Sequence, residues 1–435
     1  MKQEGTTTTR SADDAFSALR ELGSVEEMRR FASAGKTPSV RVKVNSHIHL
    51  PPNFSAFRSV AEAVELAAEQ GVRVLCASNY YDFTVFGEFF AKARSKKIFP
   101  LFGTEIIARI DELLTDGVRV NDPGNPGRMY ICGKGITAFS PLSRRAGELL
   151  GWIRAADEAR MAEMIARLGD VFAARGLDVG LTEQAVKERI VRRHGCDIDA
   201  VVLQERHVAQ AFQEALFEKV PRKDRAAILT KILGVEYTGG PDEAVKIQGE
   251  IRAHLLKAGK PAFVAEQFVN YPEARELILQ LGGIPCYPTL ADGAKVICEY
   301  ETPVEALIEN LQGMDVHMAE MIPIRNRPDV LAEYVTKMRA AGVAVAGGTE
   351  HNTLDKIGME PTCLGGQPVP EEVKDVFREG ACVIAAHQFL RLHGECGYVD
   401  AEGNPNPDYD SAEDRIQGMA KLGAAVIENY FEKLK

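Results

Sequence analysis

From residue 41 onward the chain repeats one local pattern: a short β-rich run, a polar cluster at its end, then a stretch of helical periodicity. A pattern of this kind leaves few folds open. Parallel strands need a crossover of a dozen or more residues, and alternating β and α segments supply it, so the chain is expected to build βα units. R-V-K-V-N-S-H-I-H-L (41–50) is the first run, V-R-V-L-C-A-S-N-Y-Y-D the second, I-F-P-L-F-G-T-E-I-I (98–107) the third and R-M-Y-I-C-G-K-G-I (128–136) the fourth. The pattern resumes at P-A-F-V-A-E-Q-F, G-G-I-P-C-Y-P, D-V-H-M-A-E-M and A-G-V-A-V-A-G-G-T-E-H-N-T, separated by helical stretches near 272–282, 303–312 and 328–341. Seven or so strands of a parallel sheet fit a closed barrel better than an open one. The expected fold is therefore α/β, a distorted seven-stranded βα barrel.

Residues 137–258 interrupt the alternation and read as mostly helical, an inserted layer within a barrel domain spanning 41–352. An N-terminal helical extension covers 1–40, where Ser11 and Asp14 resemble a capping box opening a helix through about Ala34. A C-terminal extension, 353–435, carries two further helices around D-A-E-G-N-P-N-P-D-Y-D. On the first crossover helix Val60, Val64, Ala67 and Ala68 form one apolar stripe ending at Gly71.

Composition narrows the partners. Lys+Arg 52 against Asp+Glu 62 leaves a net charge of −10, which argues against a grip on nucleic acid or on an anionic membrane and favours a small-molecule substrate. Eight cysteines without a C-x-x-C pair read as buried thiols of a reducing compartment. The stretch M-K-Q-E-G-T-T-T-T-R-S-A-D-D-A-F has no apolar core of a secretion signal and no 18 apolar residues run together, so a cytoplasmic location is expected.

The chemistry concentrates at strand ends. Residues i and i+2 of a strand face the same way, so His47 and His49 would point together into the barrel mouth, the face where barrel enzymes keep their active sites. Nine histidines in 435 residues would give about 0.2 such pairs by chance. Glu105 in F-G-T-E-I and Glu350 in G-G-T-E-H also end apolar strands after glycines. Two imidazoles and two carboxylates suit zinc, iron or manganese. The competing reading is a core histidine pair with solvated loop carboxylates.

In their order, H-I-H, S-V-A-E-A-V-E-L-A-A-E-Q-G-V-R-V-L, G-T-E-I, G-G-I-P-C-Y-P and G-G-T-E-H-N resemble the PHP (polymerase and histidinol phosphatase) superfamily over most of 42–352. G-L-T-E-Q-A-V and E-R-H-V-A-Q-A resemble its nucleotide-hydrolysing, exoribonuclease-type members. The resemblance implies a distorted seven-stranded barrel whose two or three metals activate water against a phosphate ester. It carries metal ligation onto His47, His49 and Glu105, and onto Glu350 where the family uses aspartate. The histidines it implies for further metals correspond here to Tyr130 and Tyr287, and to Ser55, Tyr80 and Asn352, with His351 one position out of register. One divalent ion is therefore expected, with Tyr80, Tyr130 and Tyr287 filling vacated volume or serving as substrate or acid/base groups.

Where the nucleotide-type proteins read Arg-Pro-His, this chain has Glu205-Arg206-His207. Arg206, His207, His351 and Asn352 remain candidates for substrate contact, with His207 alternatively a polar residue at a helix start. Phosphoryl transfer relies on metals and cationic clamps, so the loss of both weakens that activity. The functional expectations are a metal-dependent hydrolase using Glu105 or Glu350 as base, an isomerase or lyase acting on a sugar acid or polyol, or a non-catalytic ligand-binding barrel.

Overall fold

A computed structural model describes residues 12–34 and 42–435. Eight strands form one sheet: β1 Lys43–Ile48, β2 Val72–Tyr80, β3 Phe99–Arg109, β4 Arg128–Lys134, β5 Val269–Asn270, β6 Ile284–Thr289, β7 Met318–Met321 and β8 Ala344–Gly347. The order is β1-β2-β3-β4-β6-β7-β8, with the two-residue β5 paired to the end of β3. Seven strands thus make a nearly closed barrel with helices around it. Its seam lies between β1 and the residues just after β8: His47 O accepts from Thr349 N–H and Glu350 N–H (3.1 and 2.8 Å), and His49 N–H donates to Glu350 O (2.8 Å).

The expectation of an all-parallel sheet is corrected at β4, which runs antiparallel to both β3 and β6. The segment joining β3 to β4 holds only a five-residue helix, Asp111–Thr115, and the N-D-P-G-N-P-G turn, so no helix carries the chain back across the sheet. The strand expected at P-A-F-V-A-E-Q-F is also absent. Ala262 and Val264 are buried, but in the core of the helical unit, since a short apolar run does not by itself distinguish strand from other buried segments.

Crossover helices fall where periodicity placed them, at Val60–Glu69, Tyr271–Gln280, Val304–Gly313 and Pro328–Ala340. The first is capped by Ser59, whose Oγ accepts Glu62 N–H at 3.1 Å, and it buries Val60, Ala63, Val64 and Ala67, with Ala68 only half-buried. Of the N-terminal capping box, Ser11 lies outside the described residues. The single helix expected there is two, Ala12–Arg20 and Val25–Ser33, the second opened by a capping box at Ser24 and Glu27.

The chain divides into two compact units: one of residues up to Leu50, Ser59–Leu150 and Val269–Lys435, the other of Pro51–Arg58 and Gly151–Phe268. The second is helical around Phe172, Phe212, Leu216 and Ile247, the two phenylalanine rings meeting edge to face at 5.0 Å. The first contains the barrel with both terminal extensions. Phe16 of the first helix packs on Phe139 and on Phe102, from the outer face of β3, with ring centroids 4.9 and 6.0 Å away.

The C-terminal helices Glu371–Leu392 and Ala412–Lys433 close the other side of this unit. Gln388 Oε1 accepts Phe102 N–H (3.1 Å), and His387 links Gly282 O (2.9 Å) to Tyr398 N–H (3.0 Å), making it a satisfied buried histidine. Among the described residues no helix is long and apolar enough to cross a membrane.

Gly347 and Gly348 show how closely these layers approach. A Cβ on Gly347 would run into the Phe377 ring of the Glu371–Leu392 helix, and one on Gly348 into His47, 2.8 Å from its backbone N. The dipeptide serves both faces of one strand end, outward to the helix and inward to β1. Gly347→Ala is expected to cost about 1–3 kcal/mol by overpacking, read as a lower urea midpoint at unchanged slope.

Candidate metal centre

Alternation along the strands decides what meets inside the barrel. His47 on β1, Cys76 and Ser78 on β2, Glu105 on β3, Cys132 and Lys134 on β4, Cys286 on β6 and Glu320 on β7 are all buried and interact with one another there. His47 and His49 do point together, with Nε2 atoms 3.2 Å apart. Glu105 Oε2 lies 3.1 Å from His49 Nε2 and 3.6 Å from His47 Nε2.

These three atoms fit a common divalent ion. Bonds of about 2.0–2.2 Å at tetrahedral or octahedral angles place neighbouring donors roughly 3.0–3.5 Å apart. Glu105 Oε2 is buried between the two ring nitrogens, so all three candidate donor atoms face one shared point. Burial pushes the His49 imidazole down, so it remains a neutral ligand. Burial alone would raise Glu105, but the hydrogen bond from His49 and the polar surroundings supplied by His47 and Tyr80 outweigh it and hold the carboxyl below its ordinary range.

Behind His47 stand two residues that the sequence reading did not single out. His47 Nδ1 is 2.8 Å from Glu320 Oε1, and Glu320 Oε2 is 2.6 Å from Lys134 Nζ, all three side chains being fully buried. Lys134 also donates to Ser46 O (2.9 Å) and Ser78 Oγ (3.4 Å). Burial opposes both charges, but each supports the other: Glu320 is held well below the ordinary carboxylate range by Lys134 and His47, and Lys134 is raised by Glu320.

His47, Cys132 and Glu320 form a second group with ligand-like spacing. A dication there would face the Lys134 ammonium. At about 5 Å and an effective dielectric of about 20 the repulsion is about 7 kcal/mol, which disfavours this group against His47, His49 and Glu105.

The other expected site residues divide, some remaining beside the three atoms and others lying elsewhere. Glu350 and His351 adopt positive φ (59° and 53°), an unusual backbone for side-chain-bearing residues that turns them away from a regular strand course. The Glu350 carboxylate is held by Arg325 and by Asn352 Nδ2 (2.7 Å), outside the three-atom group. His351 Nδ1 accepts from Thr349 Oγ1 (2.7 Å) and Nε2 donates to Ile357 O (3.2 Å), which commits both nitrogens.

Tyr80 stacks on His49, with ring centroids 4.9 Å apart and planes within 8°, and its phenol hydrogen-bonds Glu105. Burial, then the Glu105 charge, pushes that phenol far up, so it stays a donor. Tyr130 also adds to the field on Tyr80, and its hydroxyl accepts from Arg128 (3.0 Å). Tyr287 is elsewhere. Its neighbour Cys286 faces the interior, so Tyr287 faces outward, where its hydroxyl donates to Glu301 (3.0 Å).

In the helical unit, His207 lies at the start of Glu205–Lys219, where Nδ1 accepts Gln204 N–H (3.1 Å); burial pushes it down to about 3. Arg206 lies over the Phe54 ring at 5.9 Å. Glu205 pairs with Arg252 (2.7 Å) and Lys257 (2.8 Å), so the carboxylate is part of an internal ion network.

The chain matches no family model and no curated protein. Among solved structures it is similar to a provisional metal-dependent phosphoesterase from Bifidobacterium adolescentis, 15% identical with a TM-score of 0.53, over 80% of this chain and 97% of that one. An amidohydrolase from Chromobacterium violaceum, solved with bound sulfate and no metal, is 18% identical with a TM-score of 0.49, over 77% of this chain and 97% of that one. At 15% identity the likeness to the Bifidobacterium structure is one of fold.

Two stability predictions follow from these buried charges. Lys134→Met, which strands Glu320, is expected to cost about 3–5 kcal/mol in urea unfolding. Glu301 is buried and pushed up from 4.5 to about 7, burial outweighing the Leu290 and Ala291 N–H groups and the Tyr287 phenol. The folded state then binds this proton more tightly than the unfolded chain, so stability falls as pH rises from about 4.5 to about 7. At about 1.4 kcal/mol per tenfold the loss is up to about 3 kcal/mol. Glu301→Gln is expected to remove that part of the pH dependence of the urea midpoint.

Proposed function

We propose that this protein is a metal-dependent hydrolase with a single divalent ion, zinc, manganese or iron, held by His47, His49 and Glu105. The observation that carries the reading is the approach of His47 Nε2, His49 Nε2 and Glu105 Oε2 to within 3.1–3.6 Å of one another at the mouth of a barrel. The fold likeness to a metal-dependent phosphoesterase and the resemblance to the PHP superfamily support the same class.

A divalent ion held by His47, His49 and Glu105 would supply a bound water of pKa lowered toward 7 and would polarise the substrate. The chain's own groups do the rest. Tyr80 holds the Glu105 carboxylate and the His49 ring in place. Glu350, whose backbone is paired with β1 and whose carboxylate is fixed by Arg325 and Asn352, accepts a hydrogen bond from the attacking water and orients it. Tyr130 offers its hydroxyl to substrate.

Three cations of the barrel unit are already paired: Arg325 with Glu350, Arg128 with Asp122 and Lys134 with Glu320. A dianionic phosphate would have to compete with carboxylates for each, so the substrate is proposed to be an ester or amide of low charge. The name of the Bifidobacterium protein favours a phosphate ester as the second reading.

Protein purified without chelators is expected to carry about one equivalent of metal, and His47→Ala/His49→Ala less than a tenth of that, by elemental analysis. Less than half an equivalent in the wild type, or unchanged occupancy in the variant, overturns the reading. Metal-loaded enzyme screened on esters, amides, phosphate esters and sugar acids assigns the reaction. Turnover of a sugar acid without hydrolysis would replace the hydrolase with the isomerase or lyase class.

A further inference from the structure

An imidazole presents a ligand lone pair on one nitrogen only when the other carries the proton. For His47 the choice is finely placed. Nδ1 faces Glu320 Oε1 at 2.8 Å, while Nε2 faces His49 Nε2 and Glu105 Oε2, either of which could accept a hydrogen from it. If Nε2 carried the proton, that hydrogen would point into the space the metal needs.

We infer that the buried Lys134–Glu320 pair is the device that fixes the His47 tautomer and aims Nε2 at the metal, which makes Lys134 and Glu320 positioning residues of the centre. The inference rests on the metal reading proposed above. A carboxylate accepts and does not donate, so Glu320 Oε1 calls for Nδ1–H and leaves Nε2 with its lone pair. The carboxylate is fixed from three sides: Lys134 Nζ at Oε2 (2.6 Å), and the Cys132 thiol (3.0 Å) and His47 at Oε1. Lys134 also holds Ser46 O (2.9 Å), the carbonyl just before His47. Ring and backbone of the ligand are thereby referenced to one ion pair, the arrangement by which outer carboxylates orient metal-binding histidines.

A pair that merely balances charge would fill the same space, and two variants separate the roles. In Glu320→Gln the amide oxygen is claimed by the Lys134 ammonium, which turns the amide NH2 toward His47 and calls for the opposite tautomer. Lys134→Met/Glu320→Leu removes both charges at similar volume and is expected to fold, since paired buried ions are replaceable by apolar residues. Nitrogen-15 NMR of histidine-labelled, metal-free, full-length protein at about pH 8 reads the tautomer, with the His47 signal assigned by its loss in His47→Gln.

The wild type is expected to show Nδ1–H at His47, Glu320→Gln to show Nε2–H, and both variants to bind zinc about 10–100-fold more weakly in competition with a chelating dye, with His387 unchanged as an internal control. If Glu320→Gln keeps Nδ1–H, or if zinc affinity in the double variant stays within about twofold of wild type, the inference is overturned and the metal reading stands. If the wild type binds no zinc, manganese or iron, both fall together.

Discussion

A lysine and a glutamate buried side by side inside the barrel impose the strictest constraint on the molecule. Neither Lys134 nor Glu320 has exposed surface, and removing two charges from water costs several kcal/mol each unless geometry and further hydrogen bonds offset it. The offset comes from four strands: the ammonium on β4 meets the carboxylate on β7, the backbone of β1 and Ser78 of β2. The pair is satisfied only when the barrel is closed. Closure and charge neutralisation are therefore one requirement, and His47 sits where they meet.

The seam of the barrel obeys a related constraint. β1 and β8 are joined not by a regular ladder but by His47, His49 and Glu350 backbone bonds, with Gly348 lying against His47 where any side chain would intrude. The positive φ values of Glu350 and His351 are the local strain of that junction. Two of the three proposed metal ligands, His47 and His49, are thus placed at the seam, and the Glu371–Leu392 helix, which packs Phe377 on Gly347 of β8, supports it from outside.

Much of this was legible in the residues. The βα alternation gave the barrel, and the two-residue spacing of His47 and His49 put both rings on one face. Glu105 was found because it was read as ending an apolar strand, although β3 continues past it to Arg109 and it lies at an inward position. Glu320 lies inward in M-A-E-M, and Lys134 interrupts I-C-G-K-G; charged residues at inward positions of apolar strands were the signal that could have found both. Tyr287 shows the converse. Its place in the motif order suggested the mouth, yet strand parity with Cys286 turns it outward to Glu301. β4 reads locally like any other strand, and its direction was set by a connection too poor in helix to return it parallel.

The sequence by itself determined the periodicities: which segments are strands or helices, which side chains share a face, and that the chain carries ligand-type residues at strand ends. Those properties are local, repeating every two residues or every three to four. Only the tertiary structure decided which carboxylates stand beside His47 and which ring nitrogen each of them faces. Glu320 is 273 residues from His47, and no local pattern encodes a 2.8 Å contact across that separation. Barrel closure makes that contact, because strands distant in sequence become opposite walls of one buried space where charges must find partners.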